Sequence, residues 1–417
     1  MSQAKIINDP IYGFIKLPEG IGFKLIEHRW FQRLRHIKQL GLAYFVYPGA
    51  THTRFSHSLG SYHLITLAIN EILKKGFEIT KEEAEAVSLA MLLHDIGHIA
   101  FSHLLEGVLI ENVSHEELTN AFLHHFYNNY KHSSLCLAID IYNKKYPKSF
   151  LSQLISGELD MDRLDYLKRD CFYTGVVEGA VGVDRIIKML TVYQNKLAVE
   201  EKGVYSIEKF LIARRLMYWQ VYLHKTVISA DVILSLIFKR IKELFKEKKI
   251  KVPELLMFFL ANKFTYNDLI ENKEIINKLS EVDDAEVWTW IKMWSYSSDP
   301  ILSYLCKCLI ERKLFKIKMQ PYKFDKEIVQ KIEQIAKKIF KINNKEVAYF
   351  VVTDEATNKT YSPTDFNINI LTKENKIIDI SFASDIFNLK ILSKKVTKHY
   401  LCYPIEIANV LKSMKLS

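Results

Sequence analysis

Met91–His103, which reads MLLHDIGHIAFSH, carries three histidines and one aspartate at the end of an apolar run. Imidazole nitrogens and carboxylate oxygens bind divalent metals, and histidine also transfers protons near neutral pH. On a straight helix the side chains of His94 and Asp95 would point about 100° apart. Both can reach one ion only if the helix ends or bends there, and Gly97 predicts such a break. The stretch therefore indicates part of a metal site, whose other ligands come from elsewhere.

Two further segments offer those ligands. His57 lies in THTRFSHSLG, at the start of an amphipathic helix, and Asp162 lies in GELDMDRLDYLKRDCFYTG, among acids and bases. Taken singly, a histidine is more often structural than a ligand, and charged helix faces are common. Together with His94 and Asp95 they form a mixed nitrogen and oxygen set. Such a set suits a divalent metal, with Mn, Mg, Fe, Zn, Ni or Co left open.

The elements that hold these residues are predicted to be mainly helical. Apolar residues recur at helical spacing from Phe23 to Gly41, and Thr80 with its early glutamates marks a helix start. Residues 206–246 predict one very long helix or two joined ones. A short hairpin is predicted over residues 5–20.

The chain is predicted to have three parts. The fold class is mainly α, with a smaller α+β C-terminal region in which β-branched runs from about residue 343 predict one small sheet. Residues 250–320 are read as helical. The predicted division is a helical core, a helical extension and the C-terminal region, at 1–245, 246–340 and 341–417.

Composition limits the classes of protein to which the chain can belong. The 417 residues are 49% hydrophobic and 25% charged, as in soluble globular proteins. A net charge of +10 mostly indicates lysine-rich solvated helix faces, and leaves nucleic acid open as a secondary partner. The five cysteines form no CxxC pair, which argues against a disulfide framework or zinc ribbon. Without an apolar leader or a bilayer-length apolar run, a cytoplasmic protein with no membrane partner is predicted.

Five ordered motifs resemble those of one enzyme family. They are FQRLRHIKQLG, PGATHTRFSHSLG, LLHDIGHIAFSHLLE, SHEE and DMDRLDYLKRDCFYTG, within roughly residues 5–240. His57, the pair His94–Asp95 and Asp162 resemble the H…HD…D signature of the HD-domain phosphohydrolases. The set as a whole resembles the deoxynucleoside triphosphate (dNTP) triphosphohydrolases, in particular bacterial relatives of the mammalian SAM- and HD-domain dNTPase. The resemblance implies an HD-domain helical core and a homo-oligomer, dimeric or tetrameric.

The resemblance also implies roles for individual residues. The implied metal ligands are His57, His94, Asp95 and Asp162. The implied catalytic residues around the reacting phosphate are His98, His103, His115 and Glu106. The implied substrate contacts are Gln39, Leu40, Arg54, Arg163, Tyr166, Asp170 and Arg214. A possible activating nucleotide would meet Glu27, Gln32 and Arg35.

Within the substrate set, the resemblance implies that the arginines and Tyr166 hold the triphosphate. Gln39 and Asp170 would read the sugar 3′-hydroxyl, and Leu40 would exclude a 2′-hydroxyl. From spacing alone, Gln39–Leu40 fits a helix C-terminus better, and Gln32 and Arg35 fit a polar helix face.

The chain departs from the family pattern at four positions. Glu106 and Glu27 stand where the family has Asp, and Arg163 stands where it often has Lys. In the family's Tyr–Gln–His–Lys motif, Leu223 replaces the Gln.

The predicted function is metal-dependent dNTP hydrolysis. The hypothesis is attack of a metal-bound water on the α-phosphorus, with His103 as general acid and release of deoxynucleoside and inorganic triphosphate. One alternative is another HD-type metal phosphohydrolase acting on a mono-, cyclic or signalling nucleotide. The other is a nucleotide-sensing or nucleic-acid-binding module. The complete ligand set favours an enzyme, and the Arg and Tyr positions favour a triphosphate.

Overall fold

The fold is mainly helical, as predicted. The computed structural model describes residues 5–101, 104–358, 368–384 and 395–414. In this described part, no single helix is both long enough and apolar enough to cross a bilayer. The bent pair Glu201–Tyr222 and Lys225–Lys246 meets both criteria when its two helices are taken together. The predicted hairpin is present as antiparallel strands β1 (Ile6–Asp9) and β2 (Gly13–Lys16).

The continuous helix predicted from Phe23 to Gly41 is wrong. The chain instead forms α1 (Gly20–Glu27), α2 (Arg29–Gln32) and a 3₁₀ turn at Arg33–His36. The break comes at His28, whose backbone is extended and whose Nδ1 accepts a hydrogen bond from the Trp30 amide at 3.2 Å. A side chain that caps the next helix ends the previous one. Gln39 and Leu40 consequently lie in an irregular segment.

The core helices surround the segments that carry the candidate ligands. Thr80 and Glu83 form the predicted capping box, with each side chain bonded to the other residue's amide. Helix α3 packs against both α4 and α8. These helices are α3 (Arg54–Lys74), α4 (Lys81–Leu93), α5 (His115–Tyr130), α6 (Ser133–Tyr142), α7 (Ser149–Ile155), α8 (Met161–Thr174) and α9 (Val183–Met189).

The long helical stretch is two helices, one of the two predicted forms. Helix α10 (Val204–Met217) runs into a π-helical turn at Tyr218–Tyr222, and α11 (Lys225–Lys246) follows at an angle of 55° to that unit. His224 Nδ1 accepts from the Thr226 amide at 3.2 Å and so begins α11. The turn places Tyr218 and Tyr222 beside α8.

The remaining helices follow α11 along the chain. The last of them lies in the stretch EIANVLKSM. They are α12 (Glu254–Ala261), α13 (Tyr266–Glu271), α14 (Lys273–Leu279), α15 (Asp284–Trp294), α16 (Pro300–Ile310), α17 (Lys326–Phe340), α18 (Ile380–Ala383) and α19 (Ile405–Ser413).

The prediction of one small C-terminal sheet is wrong, because its strands divide between two sheets. One sheet has the order β3-β4-β7-β8 and the other β5-β9-β6. Strand β5 lies within residues 250–320, which are predicted as helical. The strands are β3 (Leu190–Tyr193), β4 (Lys196–Glu200), β5 (Lys316–Gln320), β6 (Val352–Asn358), β7 (Asn369–Leu371), β8 (Ile377–Asp379) and β9 (Val396–Tyr403).

Long-range pairing explains this difference. Strand β4 pairs in parallel with β7, with Val199 opposite Ile370. Partners that are so far apart in sequence leave no local pattern, because strand stability comes from cross-strand packing. The three-part division of the chain stays a prediction, although this sheet joins its first and last parts.

Candidate metal centre and substrate cavity

Three helix ends converge on one cluster of ligand atoms. His57 lies in the first turn of α3, His94 directly follows α4, and Asp162 lies in the first turn of α8. His57 Nε2 is 3.2 Å from His94 Nε2 and 3.1 Å from Asp162 Oδ1. His94 Nε2 is 3.6 Å from that same oxygen. Two imidazoles and a carboxylate so placed fit a divalent metal ion.

Asp95 lies beside this triad. Because α4 ends at Leu93, His94 and Asp95 stand in a turn and both face the cluster. Asp95 Oδ1 is 3.4 Å from His94 Nε2, and its Oδ2 is 3.7 Å from His57 Nε2 while contacting the Arg54 guanidinium. The structure thus brings the four residues predicted as ligands together.

Gly97 serves close packing, since the helix has already ended. A Cβ at this position would lie 2.3 Å from both the His115 carbonyl oxygen and the Thr119 amide nitrogen. The turn after α4 can therefore lie directly on the first turn of α5. Thr119 Oγ1 donates to the His94 carbonyl at 3.0 Å and fixes the two segments together.

In both histidines, the ring nitrogen that points away from the cluster, Nδ1, makes a hydrogen bond. His94 Nδ1 donates to the Met91 carbonyl at 2.7 Å, and His57 Nδ1 donates to Asp165 Oδ2 at 2.7 Å. In the neutral imidazoles, each Nε2 is then the nitrogen whose lone pair faces the cluster. Such outer partners fix the tautomer and orientation of metal-binding imidazoles.

A buried chain of charges continues outward from Asp165. Arg169 Nε donates to Asp165 Oδ2 at 2.9 Å, and Arg169 Nη1 donates to Asp9 Oδ2, at the end of β1, at 2.8 Å. Gly60 leaves room for it, since a Cβ there would lie 2.0 Å from Asp165 Oδ1. The N-terminal hairpin is thereby connected to the ligand cluster.

The cluster favours positive charge. Burial acts to lower the pKa of His57, but hydrogen bonds with Asp162 and Asp165 and the surrounding carboxylates outweigh it and raise that pKa to about 10. Burial likewise acts to raise the pKa of Asp165, and Arg169 and His57 bring it down to about 2. Ionised carboxylates that stabilise a proton here would also stabilise a metal cation.

A cavity of about 510 Å³ opens beside the cluster. Gln39 Oε1 is buried there and has no hydrogen-bond partner within the described part of the chain. Asp170 is held between His52 Nε2 at 2.7 Å and Tyr222 Oη at 2.8 Å. The predicted site residues that line this cavity are Gln39, Leu40, Arg54, Asp95, His98, His115, Asp162, Tyr166 and Asp170.

Comparison with known proteins identifies the family to which this chain belongs. The HD-domain family model matches residues 54–170, and the model of an HD-associated region matches residues 181–258. A phosphohydrolase from Bacteroides thetaiotaomicron superimposes with a TM-score of 0.91 at 45% identity, covering 96% of this chain and 100% of that one. The chain belongs to the HD-domain phosphohydrolase family. This confirms the family suggested by the sequence motifs.

Two curated relatives extend the comparison of this HD-domain phosphohydrolase. YwfO of Bacillus subtilis is 30% identical over 98% of this chain and 94% of that protein. The deoxynucleoside triphosphate triphosphohydrolase SAMHD1 of Bos taurus is 25% identical over 89% of this chain and 67% of its own length.

Of the predicted catalytic residues of this HD-domain protein, His98 contacts Asp95, and His115 and Glu106 follow it. His98 Nδ1 is 3.2 Å from Asp95 Oδ1, and burial together with Arg54 lowers the pKa of His98 to about 3. The His98 and His115 ring centroids are 4.2 Å apart. Glu106 Oε1 accepts from the His115 amide at 2.9 Å and lies 3.1 Å from its Nδ1, so Glu106 orients His115. His103 lies outside the described residues.

Two predicted substrate arginines stand outside the cavity lining, each paired with an acid. Arg163 Nη1 contacts Asp160 and the Gly157 carbonyl. Arg214 Nη1 lies 2.7 Å from Glu158 Oε2. Both would have to give up part of these contacts to hold a triphosphate, so their role stays a prediction.

The predicted activator residues share one surface. Arg35 Nε donates to Gln32 Oε1 at 2.8 Å, and its guanidinium stacks on Phe55 with 3.5 Å to the ring centroid. Burial lowers the pKa of Arg35, and the charge of the exposed Glu27 acts against that shift. Nucleotide binding at this surface stays a prediction.

Reasoning from the sequence assigned no role to Asp165, Arg169 or Asp9. The signal that could have found the first two is their spacing in DMDRLDYLKRD. Asp165 and Arg169 lie four residues apart and can pair on one helix face. Asp9 offered no signal, because its partner is 160 residues away.

Proposed function

We propose that this protein is a metal-dependent dNTP triphosphohydrolase that converts dNTP and water to deoxynucleoside and inorganic triphosphate. One observation carries the proposal: a single cavity is lined both by Asp95 and Asp162 of the ligand cluster and by residues suited to a deoxyribose, Gln39, Leu40 and Asp170. The similarity to SAMHD1, whose name states this activity, supports it.

The metal would be held by His57, His94 and Asp162, with Asp95 beside them. When bound, a divalent ion supplies Lewis-acid polarisation of a phosphoryl oxygen and activation of water. The protein supplies the orientation of the ligands through Asp165 and the Met91 carbonyl.

The reaction needs a proton at the leaving oxygen and positive charge at the phosphate. The oxygen of water bonds to the α-phosphorus, the bond from that phosphorus to the sugar 5′-oxygen breaks, and the 5′-oxygen takes a proton. Arg54, buried beside Asp95, provides fixed positive charge at this end of the cavity. The imidazole of His115, which Glu106 orients, is suited to proton transfer.

The sugar end of the cavity explains selection for deoxyribose. Gln39 Oε1, which has no hydrogen-bond partner among the described residues, is an acceptor for a sugar hydroxyl, and Leu40 lies next to it. We expect Leu40→Ala to raise the turnover of NTPs relative to dNTPs by about tenfold, because it removes the apolar bulk that excludes the 2′-hydroxyl. Measuring kcat/KM for matched NTP and dNTP pairs tests this. The same truncation at Leu104, elsewhere in the cavity, should leave the ratio unchanged.

The proposed activity is tested by product analysis. Purified protein is incubated with Mn²⁺ or Mg²⁺ and a panel of dNTPs, NTPs, monophosphates and cyclic nucleotides, with and without added guanine nucleotide as activator. Tripolyphosphate and deoxynucleoside as the products from dNTPs would support the proposal. Orthophosphate as the product, turnover of monophosphates or cyclic nucleotides only, or no turnover in any mixture would overturn it.

A further inference from the structure

One carboxyl group in the cavity has no use in the chemistry at the phosphate. Asp231 lies in α11 and lines the cavity together with Val227, one turn earlier on the same helix. Its Oδ1 is buried and has no hydrogen-bond partner within the described residues. An unsatisfied buried carboxyl oxygen costs stability, so a ligand that satisfies it is the natural explanation.

The position of Asp231 indicates which part of a ligand it meets. Asp162 stands at the ligand cluster, and Asp170, two helical turns further along α8, is hydrogen-bonded to Tyr222. From Tyr222 the chain passes through Leu223 into α11, whose cavity-facing residues Val227 and Asp231 come next. In chain order, the lining residues thus pass from Asp162 at the ligand cluster through Asp170, the predicted sugar contact, to Asp231.

The same cavity is lined by the apolar side chains of Leu42, Leu223 and Val227, and α11 packs against the segment Gly41–Phe45. On the β9 side, the charge of Asp231 acts to raise the pKa of Tyr400. Leu223 offers no hydrogen bond, and burial raises the pKa of Asp231 to about 7. Apolar lining residues together with one carboxyl group that can hydrogen-bond suit a nucleobase.

We infer that Asp231 is a specificity residue that accepts a hydrogen bond from the exocyclic amino group of a nucleobase. Adenine, cytosine and guanine carry such a donor and thymine does not, so the enzyme would discriminate against dTTP. The inference rests on the proposed function, since it assumes that a deoxynucleotide occupies the cavity. It adds base selection, for which the metal and sugar contacts provide nothing.

The test compares the four dNTPs on wild-type protein, Asp231→Leu and Asp231→Asn. For the leucine variant we expect kcat/KM to fall about tenfold for dATP, dCTP and dGTP but to stay near the wild-type value for dTTP, because a hydrogen bond to the carboxyl group is lost only for the amino-bearing bases. The asparagine variant, whose amide can donate to a thymine carbonyl, should gain activity on dTTP relative to the others. Glu243→Gln, on α11 outside the cavity, should keep the wild-type profile.

The outcomes separate the two claims. Thermal unfolding should show that Asp231→Leu is at least as stable as wild type, because an unpaired buried carboxyl is removed. If the leucine variant does not fold, the asparagine variant decides the question. Unchanged ratios among the four dNTPs in the folded variants overturn the role of Asp231 and leave the proposed function standing. A wild-type protein that hydrolyses no dNTP overturns both.

Discussion

Asp162→Asn is expected to lower kcat for dNTP hydrolysis by about 10³-fold and to remove the bound metal. Metal ions supply several kcal/mol of transition-state stabilisation, and about 1.4 kcal/mol corresponds to a factor of ten in rate. Asp162 Oδ1 lies within 3.6 Å of the Nε2 atoms of both His57 and His94, so the change to a neutral amide removes the anionic oxygen donor of the triad. Parallel assays of kcat and of metal content by elemental analysis test this expectation.

The control for Asp162→Asn is Asp140→Asn, the same change at an exposed position on α6. It should keep wild-type metal content and turnover. Dialysis against a chelator should abolish wild-type activity, and added divalent metal should restore it in the wild type and in Asp140→Asn but not in Asp162→Asn. An Asp162→Asn protein that keeps both its metal and its turnover would remove Asp162 from the site.

Asp165→Asn is expected to weaken metal binding by about 10- to 100-fold, as losses of outer-shell partners do. The change replaces the carboxylate that accepts from His57 Nδ1, so the imidazole is no longer fixed with Nε2 facing the cluster. Because the direct ligands remain, excess metal should restore much of the activity, unlike in Asp162→Asn. Titration of activity with Mn²⁺ gives the apparent metal affinity and the limiting kcat separately.

Asp9→Asn is the matched control for the structural cost of Asp165→Asn. Both changes take a carboxylate from the buried Arg169, which destabilises the fold by about 3–5 kcal/mol when a buried pair is broken. Only Asp165 also contacts His57. Asp9→Asn should therefore lower the unfolding temperature with little loss of metal affinity. Equal losses of metal affinity in the two variants would show that Asp165 acts through stability alone.

The candidate ligands could be predicted because their chemistry is local in sequence. His94 and Asp95 are adjacent, and His57 and Asp162 each lie in a short polar motif next to an apolar run. The reason that His94 and Asp95 face one ion was only partly predictable. The helix ends at Leu93, and Gly97 is needed for contact with His115 and Thr119 on another helix.

The features that sequence reasoning missed depend on contacts between distant segments. The pairing of β4 with β7 and the bond from Arg169 to Asp9 join residues that are more than 150 positions apart. Asp231 interrupts the apolar stretch Val227–Phe238. A charged residue inside an apolar run indicates a special role, yet only the fold shows that Asp231 lines the cavity beside the ligand cluster.

The most direct test of the proposed chemistry is hydrolysis of a dNTP in heavy-oxygen water, followed by mass spectrometry of the products. Attack at the α-phosphorus predicts one heavy oxygen in the released tripolyphosphate and none in the deoxynucleoside. Label in orthophosphate or pyrophosphate, or in the deoxynucleoside hydroxyl, would contradict it.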